Sequence, residues 1–397
     1  MNNKGFFKGM ITGAALVIIL CGIIFGTLKA VDIIKYGTGN GVTTVGKQSI
    51  SEKMKTIEKL IDENAYFDID PEKVESGIYK GLVSGLDDDY AAYMTPDEQR
   101  MESEQVQGEY RGMGITMSYK QASGSEIQSV YEGSPAERVG LKAKDVITEA
   151  DGVSYVEKST TELAYYVRTS EKESVNITVY RPSTKETLKF EVPLEKIDIP
   201  TVEGEMVEGN IGYIRISNFH QITKDQFEKK FKELASAGMK GLVIDLRGNP
   251  GGLVSTTLEM LDFLLPECDT LTMEAKDKSS KTFTSDEDHA LEVPCTILIN
   301  GSSASAAEIF AGAMQDNKKA VLVGEKSYGK GIVQGTFPFA DGSAVKLTIA
   351  KYYTPAGNDI HKQGIVPDIE VKNSETEDLQ LKKALEKVIE MGSTKDQ

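Results

Sequence analysis

Gly241-Leu-Val-Ile-Asp245-Leu-Arg-Gly-Asn-Pro-Gly-Gly252 is the stretch on which the fold turns. A short apolar run ending in a glycine- and proline-rich turn reads as a strand buried on both faces, the kind found in a parallel sheet covered by helices. Upstream, Gly212–Ile216 reads as a strand, and Thr223 to Ala237 as a helix stopped by Gly238. Downstream, a helix from Ser255 to Leu265 precedes a strand at Thr296–Ile299, and Ala304 to Gln315 is helical again. Strands at Ala320–Val323 and Val345–Ile349 complete an alternation that predicts an α/β layered domain. An amphipathic helix from Leu379 to Met391 closes the chain.

Nearer the N-terminus the pattern changes. Ile57, Leu60 and Ile61 recur at helical spacing, and Asp70-Pro71-Glu72 and Thr95-Pro96-Asp97-Glu98 each carry an N-cap followed by proline. From about Gly112 the periods shorten: Ile115–Met117, Ile127–Val130, Val146–Ile147 and Val175–Val179 read as strands. Helices at Ser134–Gly140 and Ser159–Thr169 lie among them, giving a compact strand–helix module.

The 397 residues suggest two or three domains, and 40% hydrophobic with 27% charged residues is ordinary for a globular chain. With 45 Lys and Arg against 61 Asp and Glu, the net charge of −16 repels phosphate backbones and argues against a nucleic-acid partner. No charged residue occurs from Gly9 to Leu28, about the 20 apolar residues that a membrane-spanning helix needs. Lys4 and Lys8 precede this run and would hold the N-terminus in the cytoplasm, so the rest is expected outside the cell membrane. A cleaved signal peptide is the alternative to a signal anchor, although Thr27-Leu-Lys-Ala30 matches an A-x-A site poorly. Outside the cytoplasm Cys268 and Cys295 could pair, or stay as two partly buried thiols. The three cysteines lack the spacing of a zinc site.

Three stretches carry the chemistry. Asn249-Pro-Gly-Gly252 lets backbone amides approach a ligand, or makes a tight strand-to-helix turn. Gly301-Ser-Ser-Ala-Ser-Ala-Ala-Glu308 could expose a serine at a helix N-terminus, or serve close helix packing, and it lacks the G-x-S-x-G spacing. Gly324-Glu-Lys-Ser-Tyr-Gly-Lys-Gly331 nearly spells a phosphate-binding loop. Gly331 stands where that loop needs a hydroxyl, and Ile332-Val-Gln334 reads as a strand rather than a helix. Of the histidines, His289 lies in an acidic run and His361 in a Gly/Pro-bounded loop; His220 alone could serve as a triad base. Lysine is the other option for a base, once burial lowers its pKa, and Lys330 between two glycines could approach a serine closely.

Together, Ser303-Ala-Ser-Ala-Ala-Glu-Ile309 and Gly324-Glu-Lys-Ser-Tyr-Gly-Lys-Gly-Ile-Val-Gln334 strongly resemble the carboxyl-terminal processing peptidases, serine proteases with a Ser/Lys pair. Asp245–Gly252, Tyr353-Thr-Pro-Ala-Gly357, Gly364–Ile369 and Gly85-Leu-Asp-Asp-Asp-Tyr-Ala-Ala-Tyr-Met-Thr-Pro96 resemble further segments of that family, in order, over about residues 50–372. The resemblance implies Ser305 as nucleophile, Lys330 as general base and Gln334 as the residue orienting it. The oxyanion hole would be backbone amides of Ala306 and of Gly251 or Gly252. Ala307 departs from the serine that many members have there. Residues 108–195 resemble a PDZ domain, with Arg111-Gly112-Met113-Gly114-Ile115 as the loop for a peptide's C-terminal carboxylate and the following strand receiving the peptide.

The apolar run predicts a cytoplasmic N-terminus at 1–8 and a transmembrane anchor at 9–30, a small polar linker follows at 31–49, and the resemblance implies a helical part of the protease at 50–107. The PDZ domain at 108–195, a mixed α/β protease core at 196–375 and a C-terminal helix and tail at 376–397 follow. The expected protein is a single-pass, extracytoplasmic serine endopeptidase acting on proteins or peptides with exposed apolar C-termini. No metal, cofactor or nucleic acid is implied, and a homodimer is left open. A catalytically silent peptide-binding scaffold is the alternative.

Overall fold

The computed structural model describes residues 49–120 and 124–395. The anchor expected at 9–30 lies outside the described residues, with its flanks at 1–8 and 31–48. Among the described residues no helix is long and apolar enough to cross a membrane.

Helix α1 (Ile50–Asn64) starts from a capping box in which Ser49 and Glu52 bond each other's backbone amides. It belongs to a unit ending at Glu75, separate from the one that begins at Ser76. Next come α2 (Pro71–Ser84), β1 (Ala92–Met94) and α3 (Pro96–Gln107). A Thr95–Glu98 capping box opens α3, and Gly108 at φ 80° closes it in the left-handed conformation that glycine tolerates.

The middle of the chain runs through β2 (Glu109–Gly112), β3 (Ile115–Lys120), β4 (Gly124–Val130), α4 (Pro135–Val139), β5 (Val146–Ala150) and β6 (Val153–Ser154). It continues with α5 (Thr160–Thr169), β7 (Ser174–Arg181), β8 (Glu186–Pro193) and β9 (Glu195–Asp198). Strands β3-β4-β5-β7-β8 form an antiparallel sheet, with β6 on β5, around buried Ile127, Ile147, Leu163, Ile177 and Val179. The β2–β9 pair brings the two ends of this module together.

The third part contains β10 (Val202–Val207), β11 (Ile211–Ile216), α6 (Thr223–Ser236), β12 (Gly241–Asp245), α7 (Val254–Leu264), β13 (Asp269–Ala275) and β14 (Ser280–Thr284). Then follow β15 (Cys295–Ile299), α8 (Ala306–Asp316), β16 (Val321–Gly324), β17 (Ile332–Pro338), β18 (Ala344–Tyr353), β19 (Ile369–Glu370) and α9 (Leu379–Lys395). The main sheet has the order β10-β11-β12-β15-β16-β19, parallel from β11 onward.

Alternate residues of the central strands face opposite layers. Leu242, Ile244, Ile297 and Ile299 pack with Phe227 and Phe231 of α6, Met260 and Leu261 of α7 and Phe310 of α8. Val243, Leu298 and Val323 meet Ala384 and Val388 of α9 on the other side. Each such side chain contributes roughly 1.5–3 kcal/mol by leaving water, which is why the run 241–245 can be apolar throughout. A second sheet, β1-β18-β13-β14 with β17 on β18, is antiparallel. Cys268 and Cys295 do not pair: both are free thiols, Cys295 fully buried in the main sheet.

Candidate active site

The three sequence stretches singled out for chemistry all leave the carboxyl ends of neighbouring parallel strands: 246–252 after β12, 300–305 after β15 and 325–331 after β16. Ligands in α/β sheets are bound there, because loops converge at that edge.

The first loop is held by Asn249. Its buried amide donates to the Ile216 carbonyl at 2.8 Å, its Oδ1 accepts from Gly251 N–H at 2.8 Å, and its carbonyl accepts from Ala304 N–H at 2.9 Å. Gly251 (φ 105°) lies so near the serine that a Cβ would come within 2.8 Å of Ser305 Cβ and 2.9 Å of Ala306 N. At Gly252 (φ 148°) a Cβ would run into the Phe219 carbonyl. The Gly251 amide is therefore occupied by Asn249. Among the described residues neither the Gly252 nor the Ala306 amide has a hydrogen-bond partner. Arg247 ties the base of this loop to α9 through Asp245 at 2.6 Å and Asp378 at 2.7 Å.

Ser305 sits at the N-terminal end of α8 with φ 56° and ψ −118°, a conformation that a non-glycine residue adopts only when its surroundings impose it. Glu308, fully buried one turn later, supplies that constraint. One carboxylate oxygen accepts from Ser305 N–H at 2.9 Å and Lys330 N–H at 2.8 Å. The other accepts from Gly329 N–H at 2.7 Å and Ser327 Oγ at 2.6 Å. Tyr352 makes the second joint: its hydroxyl lies 3.0 Å from the Ser305 carbonyl oxygen and 2.5 Å from that of Lys330. Burial, with the Glu308 carboxylate nearby, pushes the Tyr352 phenol well above its ordinary pKa, so it remains a donor. The backbones of Ser305 and Lys330 are thus joined twice.

The side chains stand apart. Lys330 Nζ lies 4.4 Å from the centre of the Tyr90 ring, and the structure has no hydrogen bond between it and Ser305 Oγ. Burial lowers the Lys330 pKa, and the Lys346 charge lowers it further, against an opposing pull from Asp88. Gln334, on β17, donates to Thr348 Oγ1 at 3.3 Å, and its carbonyl oxygen does not accept from Lys330. A groove of about 550 Å³ opens beside Gly251 and Gly252, with Met101, Glu102, Phe219 and Lys346 among its walls.

His220 lines the same groove but is buried. Burial lowers its pKa, and its Nδ1 has no partner among the described residues. His289 pairs with Glu292, and the backbone of His361 packs on Gly331. In the middle module, Arg111 and Gly112 belong to β2 rather than to a loop. Arg111 donates to the carbonyls of Ser170 and Lys172, Met113 is buried in the module's core, and Gly114 turns at φ 82° into β3, which starts at Ile115. Sequence reading missed Glu308, Tyr352 and Tyr90. The first had a local signal, since Ser305-Ala-Ala-Glu308 has the S-x-x-E spacing of a capping box.

A model described as Peptidase family S41 matches residues 210–371, and one described as PDZ domain matches residues 126–181. A probable CtpA-like serine protease of Staphylococcus haemolyticus (strain JCSC1435) is 33% identical over 360 residues, 89% of this chain and 72% of that one. Its counterpart in Staphylococcus aureus (strain COL) is 35% identical over 327 residues, 82% of this chain; the match spans 65% of that relative's length. Among solved structures, a putative S41 protease from Bacteroides fragilis shares the fold at a TM-score of 0.53 and 17% identity, over 83% of this chain and 93% of that one.

Proposed function

Because the chain belongs to peptidase family S41, among the CtpA-like serine proteases, we propose that it is a serine endopeptidase in which Ser305 is the nucleophile and Lys330 the general base. The observation that carries this reading is the double joint: one carboxylate, Glu308, and one phenol, Tyr352, each bond the backbones of both residues. A structural turn has no need of a serine forced to φ 56° beside a lysine whose pKa burial depresses. In the reaction, neutral Lys330 takes the Ser305 proton as Oγ attacks the scissile carbonyl, then returns it to the leaving amine. The unpartnered amides of Gly252 and Ala306 receive the developing oxyanion. Gln334 orients the lysine once it approaches the serine.

The PDZ domain is the reader of substrate C-termini, with apolar ends entering beside β3. Residues 9–30 anchor the chain in the cell membrane and leave the catalytic part outside. The test uses the full chain in detergent with Ser305→Ala and Lys330→Ala, each incubated with an unfolded protein ending in apolar residues. Mass spectrometry should find cleavage with the wild type alone. Equal cleavage by either variant refutes the dyad.

A further inference from the structure

The segment Gly85–Ala91, between α2 and β1, matched a family segment in the sequence but has no role in the chemistry above. Asp88 fixes its shape. The Asp88 carboxylate accepts from Tyr90 N–H at 3.0 Å and from both the amide and hydroxyl of Thr348 on β18, each at 3.1 Å. Burial pushes the Asp88 carboxyl up, yet these hydrogen bonds outweigh it and hold the group below its ordinary pKa. The same Thr348 hydroxyl receives the Gln334 amide. One bonded chain therefore links Gln334 to the loop that sets Tyr90 over Lys330.

An aromatic face attracts a cation and has little hold on a neutral amine. A ring 4.4 Å from Lys330 Nζ thus stabilises the charged lysine where it stands, and not the neutral lysine that must act on Ser305. We propose that Tyr90 is a positioning residue for the reaction: its ring parks the charged Lys330 side chain away from Ser305, and the base leaves that ring to reach the serine. The proposal rests on the Ser305/Lys330 reading for its catalytic meaning, while the parking itself is a property of Lys330 that can be measured without substrate.

The other groups facing Lys330 are Lys346 of β18, held by Glu102 of α3 at 2.7 Å, Asp88 of the loop, and the Tyr328 phenol beside that of Tyr90. The Lys346 and Asp88 charges stay in place when the ring at position 90 changes, whereas the phenol bonded to Tyr328 is lost in every one of the position-90 variants below, so Tyr90→Phe is the reference for that loss. A ring at this distance favours the charged form by roughly two- to fivefold, equivalent to about 0.3–0.7 pH unit.

The test follows the carbon-13 resonance of the Lys330 ε-carbon through a pH titration of the full chain, assigned by its loss in Lys330→Ala. Tyr90→Phe keeps the aromatic face and should leave the midpoint in place. Tyr90→Leu keeps apolar bulk without that face and should lower the midpoint by the amount above. Should Tyr90→Leu fold poorly, fluorinated phenylalanines placed at position 90 keep the shape, and the midpoint should fall stepwise as fluorine drains the ring. The acid limb of β-casein cleavage should move by the same amount. A midpoint that is unmoved or rises in Tyr90→Leu and across the fluorinated series overturns the proposal. If instead the midpoint falls as expected while Lys330→Ala still cleaves casein, Tyr90 parks the lysine as stated and the dyad reading is what fails.

Discussion

Replacing Glu308 by glutamine changes one atom of the carboxylate, and the geometry says what that atom does. Each oxygen accepts two hydrogen bonds, one pair from Ser305 N–H and Lys330 N–H, the other from Gly329 N–H and Ser327 Oγ. Glutamine keeps one accepting oxygen and turns the other into a donor facing donors. With the retained oxygen toward Gly329 and Ser327, the amides of Ser305 and Lys330 lose the partner that the buried Glu308 side chain gave them. A buried unsatisfied amide costs about 1–3 kcal/mol, so the pair costs about 2–6 kcal/mol. At about 2–4 °C per kcal/mol for a domain of this size, the melting midpoint should fall by at least about 4 °C. The catalytic loss should exceed what lower stability explains, because the bond that forces Ser305 to φ 56° is gone. Calorimetry and casein cleavage of Glu308→Gln, compared well below both midpoints, separate the two effects. An unchanged midpoint together with wild-type kcat/KM would refute the reasoning, since the four bonds would then constrain nothing.

Gly252→Ala should lower kcat by on the order of a hundredfold or more, because its Cβ meets the Phe219 carbonyl and displaces a candidate oxyanion donor. Gly248→Ala is the control: it has the same sign of φ, at 74°, but no neighbour within 4 Å, so its kcat should stay near wild type. In the pH profile, kcat/KM should rise as Lys330 loses its proton, with a midpoint below the ordinary 10.5, since burial and Lys346 both favour the neutral amine. Lys346→Gln removes the like charge and frees Glu102, both of which favour charged Lys330, so the limb should shift to higher pH; a shift the other way contradicts the assignment. Arg247→Ala breaks a buried pair with Asp245 and a link to α9, and should cost about 3–5 kcal/mol in urea unfolding. Hydrogen exchange of α9 should rise in the same variant.

The elements readable from the sequence were those whose reasons are local. The run 241–245 reads as a doubly buried strand because both faces are apolar, and Thr95 before Pro96 and Ser159 read as helix starts, which the structure closes with capping boxes. Of the second sheet, Ile332–Gln334 of β17 and Val345–Ile349 of β18 read as strands, but nothing local shows that they form an antiparallel sheet of their own. The run Val345-Lys-Leu-Thr-Ile349 alternates as a strand should, but the pairing of β18 with β1 and β13 is set by partners far away in the chain. The stem β2–β9 was missed for the same reason: Glu109 pairs with Asp198, and neither segment has an apolar period of its own.

The site divides along the same line, and the division explains why a motif match alone leaves the active state undetermined. Ser305 and Lys330 each sit in a recognisable stretch, but what relates them comes from elsewhere. Tyr352 reaches both carbonyls from β18, and Tyr90 reaches the lysine from a loop that precedes the whole middle module. The joints made by Glu308 and Tyr352 act on backbone atoms, so they fix where the two residues start while leaving the lysine side chain free to choose a partner. In this structure it chose a ring. On the proposed Ser/Lys reading, these backbone joints set the pair in place while the ring holds the lysine side chain, so what separates the resting from the reactive form is one side chain's rotamer and charge. A serine and a lysine read from sequence cannot distinguish those two forms. The Lys330 titration can, because the ring at position 90 stabilises only one of them.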